Sequence, residues 1–235
     1  MPDDKRSHES AKRGSGVSTR TSTALRRFTL TLCLLLAGAV PAAAHPHVFV
    51  QVSSRVVFDA AGKVTAIKHV WTFDEMYTAF AIQGMGQDGN GPSPAELHAI
   101  AQQNIEDLEQ YGWFTHGRGP QRQMTFAKPT EYETIKPKDG NLELHFTLPL
   151  EKPVSVGKVF TFEVYDPSYF VAFSYDKKAM PTLENAPAGC SVSLYEPKPL
   201  DPVLQAKLNE SFFTNMSPGD DFGVQMAQRV IVACP

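Results

Sequence analysis

Residues 48–73 read VFVQVSSRVVFDAAGKVTAIKHVWTF and contain two apolar patterns with a period of two. Apolar side chains recur at every second position from Val48 to Val52, and again over residues 64–73. The sequence DAAG at 59–62 separates the two runs and is typical of a turn. The second run carries its large apolar side chains on one face: Ile67, Trp71 and Phe73. The stretch therefore predicts an antiparallel hairpin with one apolar face.

Two helices are predicted directly after the hairpin. Asp74 is a suitable N-cap for a short helix that extends to about Gln83, and Gly84 can end it. Ser93-Pro94-Ala95-Glu96 is a capping box with proline at the first helical position. Apolar residues with helical spacing follow it until Gly112.

The rest of the chain has the pattern of strands. The predicted strands are 142–148, 160–164, 169–175, 190–195 and 230–232. The proline-rich stretches 181–187 and 197–202 are predicted loops, and a short helix is predicted over 203–214. We therefore expect an α+β fold: a mainly antiparallel β-sheet in a single domain, with a two-helix insertion after the first hairpin.

The first 44 residues have the features of a secretory signal. Two arginines precede the 13-residue apolar run 28–40, which ends in the small residues PAAA. The run is too short to span about 30 Å of hydrocarbon as a helix. We expect a signal over 1–44 that is cleaved after Ala44, and a single periplasmic domain over 45–235. Both general-secretory and twin-arginine export remain open.

Composition and charge exclude several classes of protein. The chain is 42% hydrophobic and 20% charged, which excludes a disordered chain and a polytopic membrane protein. Residues 1–44 hold 7 of the 22 basic and 3 of the 25 acidic residues, so residues 45–235 carry a net charge of -7. We therefore expect no nucleic-acid binding and no membrane insertion of the mature chain.

Two cysteines, Cys190 and Cys234, remain once the signal with Cys33 is removed. In an oxidising compartment an even number of cysteines favours a disulfide, here between the last strand and a loop 44 residues earlier. The alternative is a pair of buried thiols. The spacing resembles no zinc site.

The mature N-terminus has the composition of a metal site. His45-Pro46-His47 places two imidazoles and a free α-amine within three residues. Neutral imidazole and amine nitrogens suit copper, nickel, cobalt and zinc. The square-planar site of a third-position histidine is excluded, because it needs a deprotonated amide at position two and Pro46 has none. The alternative is a solvated polar start before a strand.

Three other side chains are candidates for further ligands: Glu75, His116 and Asp166. Asp166 precedes Pro167 and also fits the first position of a type I turn. His116 lies at the end of a predicted strand. By contrast, His69 shares the apolar face of Trp71, which favours a histidine satisfied within the core.

The glycine-rich segment between the two helices has the pattern of a degenerate calcium loop. Asp88, Asn90 and Glu96 suggest such a loop, but the register places Gly86 and Leu97 at the first and twelfth ligand positions. Calcium is therefore not expected. The chain has no H-E-x-x-H or G-x-S-x-G motif, so no catalytic residue is assigned and no enzyme activity is expected.

Four segments together resemble a known family. They are His45-Pro-His-Val-Phe-Val50, Trp71-Thr-Phe-Asp-Glu75, Tyr111-Gly-Trp-Phe-Thr115 and Tyr165-Asp-Pro-Ser-Tyr169. In this order they are similar to the family catalogued as domain of unknown function 1007, from His45 to about Cys190. The resemblance implies an exported bacterial protein, often labelled the periplasmic component of an uncharacterised ABC-type transport system and encoded beside nickel/cobalt-type permeases. It supplies no catalytic residue.

The residues and the resemblance together predict a periplasmic, non-catalytic binding or accessory protein for divalent transition-metal transport. His45 and His47 would bind nickel, cobalt, zinc or copper, and an inner-membrane metal permease would be the partner. Two alternatives remain open. One is a metal-free interaction module that contacts a permease, and the other is a copper-dependent oxidative enzyme that uses the N-terminal histidine.

Overall fold

The computed structural model describes residues 46–235, apart from 87, 88, 90, 121, 122, 139, 158, 177 and 215–220. The predicted signal, His45, and both Asp88 and Asn90 of the candidate calcium loop lie outside the described residues. All described residues belong to one unit, Ala43–Pro235.

A long antiparallel hairpin organises this unit. Strands β1 (Val48–Phe58) and β2 (Lys63–Phe73) pair along almost their whole length. The turn between them is closed by Asp59, whose carboxylate accepts hydrogen bonds from the backbone N–H groups of Ala61 and Lys63, each at 2.9 Å. The predicted hairpin is confirmed, and its inner face supplies the centre of the core.

The described strands form two sheets. The first sheet has the order β4-β5-β2-β1-β7, and β8 also pairs with β1. The second has the order β3-β6-β10-β9. The remaining strands are β3 (Thr115–Arg118), β4 (Tyr132–Ile135), β5 (Glu143–Ser155), β6 (Val159–Val164), β7 (Val171–Tyr175), β8 (Thr182–Glu184), β9 (Ser191–Tyr195) and β10 (Arg229–Ala233). Pairing is antiparallel throughout, except that β7 and β8 run parallel to β1.

The two predicted helices follow the hairpin. Helix α1 (Glu75–Ala81) is capped by Asp74, whose Oδ1 accepts from the Tyr77 N–H at 2.8 Å. Helix α2 (Pro94–Leu108) begins with the complete capping box of Ser93 and Glu96. A 3₁₀ helix (Glu109–Phe114) follows α2, and the later helices are α3 (Pro202–Thr214) and α4 (Phe222–Met226). Among the described residues, no helix is long and apolar enough to cross a membrane.

One hydrophobic core joins the inner faces of both sheets and the buried side of α2. Its fully buried members include Ile67, Trp71, Leu144, Phe160, Phe162, Val230 and Ile105. Aromatic and aliphatic side chains share this core, and burial of its apolar surface is the main stabilising contribution to the fold.

The α+β class and the two-helix insertion are confirmed, two local predictions are wrong, and one helix was missed. Residues 182–184, predicted as loop, form a strand because they pair in parallel with residues 55–57. The strand predicted over 169–175 begins at Val171, because residues 166–170 form a turn. Helix α4 was not predicted.

Candidate functional site

The four sequence segments that carry the family resemblance meet at one end of the two sheets. The first and second segments are joined by Phe49 and Asp74: the Phe49 N–H donates to Asp74 Oδ2 at 2.7 Å, and the Asp74 N–H donates to the Phe49 carbonyl at 3.0 Å. The third and fourth are joined by the Tyr165 N–H, which donates to the Phe114 carbonyl at 2.9 Å. The two pairs are connected through the first segment, where the His47 N–H donates to the carbonyl of Phe170, directly after the fourth, so the segments form one region.

His47 is fixed at this end of the molecule. Its backbone N–H donates to the carbonyl of Phe170 at 2.9 Å, and its imidazole lies 4.7 Å from the Phe170 ring centroid. Pro46 is buried. His47, directly before β1, is therefore held at the surface, two residues after His45 in the sequence.

Asp166 is buried and has a structural role. Its Oδ1 accepts from the N–H and the hydroxyl of Ser168 at 2.9 and 2.8 Å, and its Oδ2 accepts from the Val171 N–H at 3.0 Å. Helix α4 packs closely on this turn, since the Gly223 N–H donates to the Pro167 carbonyl at 3.0 Å. The alternative interpretation of Asp166, as a turn residue, therefore describes its contacts.

His116 lies on the other side of the same turn. Its Nε2–H donates to the Tyr165 carbonyl at 3.3 Å, and its ring stacks on Tyr165 at 4.0 Å between centroids. Burial lowers the pKa of His116, while the Tyr165 carbonyl and the Glu163 carboxylate oppose that shift. A backbone carbonyl bonded to one ring nitrogen leaves the other as an acceptor, which is the usual second-shell arrangement of a metal-binding histidine.

Glu75 is the first residue of α1 and its side chain is exposed. The turn 165–171 contacts both His47 and His116. These two histidines and Asp166 therefore lie around one turn, but their side chains do not converge on one point that a metal ion could occupy. Within the described ranges, no group of three or more His, Cys, Asp and Glu side chains is arranged to hold a metal ion. The N-terminal metal site, which needs His45, stays a prediction.

His69 is fully buried, as the pattern of β2 predicted, and belongs to a chain of hydrogen bonds that sequence analysis did not identify. His69 Nδ1 lies 2.9 Å from Ser54 Oγ, which lies 2.8 Å from the Tyr175 hydroxyl. His69 Nε2 lies 3.4 Å from Thr115 Oγ1, which donates to the Trp113 carbonyl at 2.9 Å.

These contacts have one consistent direction. Because Thr115 donates to a carbonyl, it accepts from His69 Nε2–H, so Nδ1 accepts from Ser54 and Ser54 accepts from Tyr175. Burial lowers the pKa of His69 to about 3 and raises that of Tyr175. The chain of neutral groups crosses from the first sheet to the second. Its members lie far apart in the sequence, so no local pattern shows that they are neighbours.

The outer face of the first sheet carries a groove of about 440 Å³ with charges of both signs. Glu184 lies 2.8 Å from Lys68 and 3.4 Å from Arg55. The hydrogen bond from Lys68 is the main reason that the pKa of Glu184 is lowered. His145 lines the same groove, and its Nε2 lies 2.9 Å from Glu143 Oε2. These exposed pairs contribute little to stability, and they do not select one ligand.

Comparison with known proteins supports the family resemblance that these four segments carry. The sequence model of a family described as "Protein of unknown function (DUF1007)" matches residues 30–234. The chain belongs to this family. It is also similar to an uncharacterised protein of Haemophilus influenzae, with 26% identity over 211 residues, which are 89% of this chain and 100% of the relative. The resemblance inferred from four segments is confirmed, and the DUF1007 match extends beyond Cys190 to include β10.

Membership of the DUF1007 family supplies no activity, since the family and the relative are both uncharacterised. The predicted disulfide is present: Cys190 and Cys234, the last residue of the DUF1007 match, are bonded at an S–S distance of 2.05 Å. It ties the end of β10 to the segment before β9.

Proposed function

We propose that this DUF1007 protein is an exported, non-catalytic accessory protein that binds a divalent transition-metal ion for an inner-membrane metal permease. The ion is nickel, cobalt, zinc or copper. His45 and His47 hold it, together with the α-amine that cleavage after Ala44 creates. Glu75, His116 and Asp166 are the further candidates, of which His116 has the most suitable second shell.

The observation that carries this proposal is the attachment of His47. Hydrogen bonds from the His47 N–H to the Phe170 carbonyl, and between Phe49 and the backbone and carboxylate of Asp74, hold His47 and the start of β1 in place. A histidine held at the surface loses little conformational entropy when it binds a metal ion. The net charge of -7 over residues 45–235 also raises the local concentration of cations.

The test is metal titration of the mature chain that begins at His45, with its N-terminus verified by mass. Calorimetry with nickel, cobalt, zinc and copper is expected to give one-to-one binding in the micromolar range, which corresponds to about 8 kcal/mol. The double variant His45→Ala/His47→Ala is expected to abolish it. The matched control is His98→Ala/His145→Ala, which removes two surface histidines elsewhere.

A second variant separates the role of the α-amine. One glycine added before His45 keeps both imidazoles but moves the amine, and it is expected to weaken binding without abolishing it. Binding no tighter than about millimolar in the parent chain contradicts the proposal. Equal binding by the His45→Ala/His47→Ala variant also contradicts it, since the ion would then lie elsewhere.

An interaction module without metal is the second candidate function. It is favoured by exposed apolar side chains on α1 and at the start of β1, where Phe80 is 75% and Phe49 is 56% exposed. Such a module predicts that replacement of His45 and His47 leaves partner binding unchanged.

A further inference from the structure

A groove lies between helices α1 and α2. It has a volume of about 340 Å³, and most of its lining is apolar: Tyr77, Phe80, Ala81, Met85, Ala99 and Ile100. The Tyr77 hydroxyl donates to Asn104 Oδ1 at 3.0 Å and joins the two helices. We call this the α1–α2 groove. Because a hydrogen bond and the packing of Tyr77 on Phe73 fix its walls, the groove is preformed.

The edge of the α1–α2 groove continues into an exposed apolar stripe. Met76 is 69% exposed and Phe80 is 75% exposed, and their spacing of four residues places them one above the other on α1. Phe49 of β1 lies beside them, in a hollow that Met76 and Ala79 also line. Clustered large apolar side chains at a surface mark an interaction site more often than scattered ones do.

The charge around the groove has one sign. Residues 69–117, which contain both helices, include seven acidic residues and no lysine or arginine. Asp107 lines the α1–α2 groove, and Asp74 and Glu75 line the adjoining hollow. Glu109, directly after α2, pairs with Lys128 at 3.1 Å. The charged side chains that line the groove and the adjoining hollow are therefore all acidic.

We propose that the α1–α2 groove binds an amphipathic, basic helix of a partner protein. The apolar side of that helix enters the groove in the helix-in-groove mode, and its lysines and arginines face Glu75 and Asp107. A second copy of this chain fits poorly, because two acidic surfaces would face each other. An anionic bilayer is disfavoured for the same reason. The proposal does not depend on metal binding by His45 and His47.

The test uses the mature chain and two designed helical peptides of about 15 residues. One contains leucine and lysine, and the other replaces every lysine by glutamate. Fluorescence anisotropy is expected to show micromolar binding of the basic peptide, weakened several-fold between about 50 and about 300 mM salt. The acidic peptide is expected not to bind. Phe80→Ser is expected to weaken binding of the basic peptide by at least about tenfold.

Matched variants separate the groove from general attraction to an acidic protein. Tyr195→Ser removes an aromatic ring that is 57% exposed on β9, and it is expected to leave peptide binding unchanged. Glu75→Gln/Asp107→Asn is expected to reduce the salt dependence. Because Phe80 is exposed, the Phe80→Ser variant is expected to keep the circular dichroism spectrum of the parent.

Four outcomes overturn the proposal. They are equal binding of both peptides, binding that Phe80→Ser does not change, no binding of the basic peptide at about 100 μM, and a different occupant. A different occupant is recognised by a concentration-dependent dimer, or by adsorption to neutral or anionic phospholipid vesicles, that Phe80→Ser abolishes. Loss of metal binding with intact peptide binding rejects only the proposed metal function.

Discussion

Ser54 Oγ lies 2.9 Å from His69 Nδ1 in the interior of the molecule, where Ser54 is 2% and His69 is 0% exposed. The serine accepts from Tyr175 and donates to the histidine, so one hydroxyl satisfies two buried side chains. Buried polar groups without partners cost more free energy than the same bonds contribute when they are made. This serine is therefore the most sensitive position in the hydrogen-bonded chain.

Replacement of Ser54 by alanine is expected to lower the free energy of unfolding by about 1–3 kcal/mol, because it leaves the Tyr175 hydroxyl and His69 Nδ1 unpaired. Urea denaturation of the variant and the parent measures the difference. The control is Ser53→Ala, since the neighbouring side chain points away from the core. Similar losses for the two variants would show that the chain of hydrogen bonds contributes nothing specific.

The buried imidazole of His69 predicts acid sensitivity. Its pKa is about 3 in the folded protein, and that of an exposed histidine is about 6.5. The unfolded chain therefore binds the proton more tightly. The contribution of His69 to the free energy of unfolding is fully present above about pH 6.5. It decreases as the pH falls toward 3, and about 2 kcal/mol is lost at pH 5. Urea denaturation across this range is expected to show that loss.

The variant His69→Asn tests the source of this pH dependence. Asparagine offers an acceptor to Ser54 but does not titrate, so the decrease in stability between pH 7 and pH 5 is expected to be smaller by about 2 kcal/mol. His98→Asn alters an exposed ring on α2 and serves as the control. An unchanged slope in His69→Asn would assign the acid sensitivity to other groups.

Asp166 is expected to act on stability whether or not metal is present. Its carboxylate accepts three hydrogen bonds within the turn 166–171, so Asp166→Ala is expected to cost about 2–3 kcal/mol in metal-free buffer. Thermal unfolding with a chelator measures this loss. If the cost appears only when metal is added, Asp166 is a ligand and the turn is not its main role.

Gly223 is expected to tolerate no larger residue. A Cβ atom there would lie 1.7 Å from the Asp166 carbonyl oxygen, which is backbone and cannot move aside easily. Gly223→Ala is therefore expected to lower the free energy of unfolding by more than about 2 kcal/mol. Gly140→Ala is the comparison, since its Cβ would lie 3.0 Å from a ring carbon of Pro137. Equal and small effects of the two variants would contradict the close contact between α4 and the turn.

The disulfide is expected to stabilise the domain because it lowers the conformational entropy of the unfolded chain. Cys190 and Cys234 are separated by 44 residues, and a crosslink over such a loop contributes roughly 3–4 kcal/mol in the chain-entropy model. For a domain of this size, Cys190→Ser/Cys234→Ser is expected to lower Tm by roughly 6–16 °C, measured by calorimetry. Identical Tm values for the oxidised protein and the variant would show that the bond adds no stability.

The elements with local signals were predicted well. The hairpin, the capping box at Ser93 and the cap at Asp74 depend on side chains a few residues apart, and each is present. The apolar periodicity of β2 also placed His69 in the core. Residues 182–184 and helix α4 were missed, because their structure depends on pairing and packing with distant segments.

The candidate site was predicted only in part. Sequence patterns selected His47, His116 and Asp166, and these lie around one turn. They also offered the turn as the alternative role of Asp166, which its hydrogen bonds match. They did not indicate that Met76 and Phe80 form an exposed stripe. The absence of lysine and arginine from 69–117 is visible in the sequence. Only the structure shows that this segment forms the α1–α2 groove, whose charged lining is acidic.

The sequence by itself determined the α+β class, the position of the two-helix insertion, the cysteine pair and the family. The class and the insertion follow from periodicity and capping, which act over short distances along the chain; the cysteine pair follows from composition, and the family follows from the resemblance of four segments. Only the tertiary structure decided that two sheets enclose the core and that Tyr175 reaches Ser54 across 121 residues. Such contacts depend on how all the apolar faces pack together, and no local pattern specifies that packing.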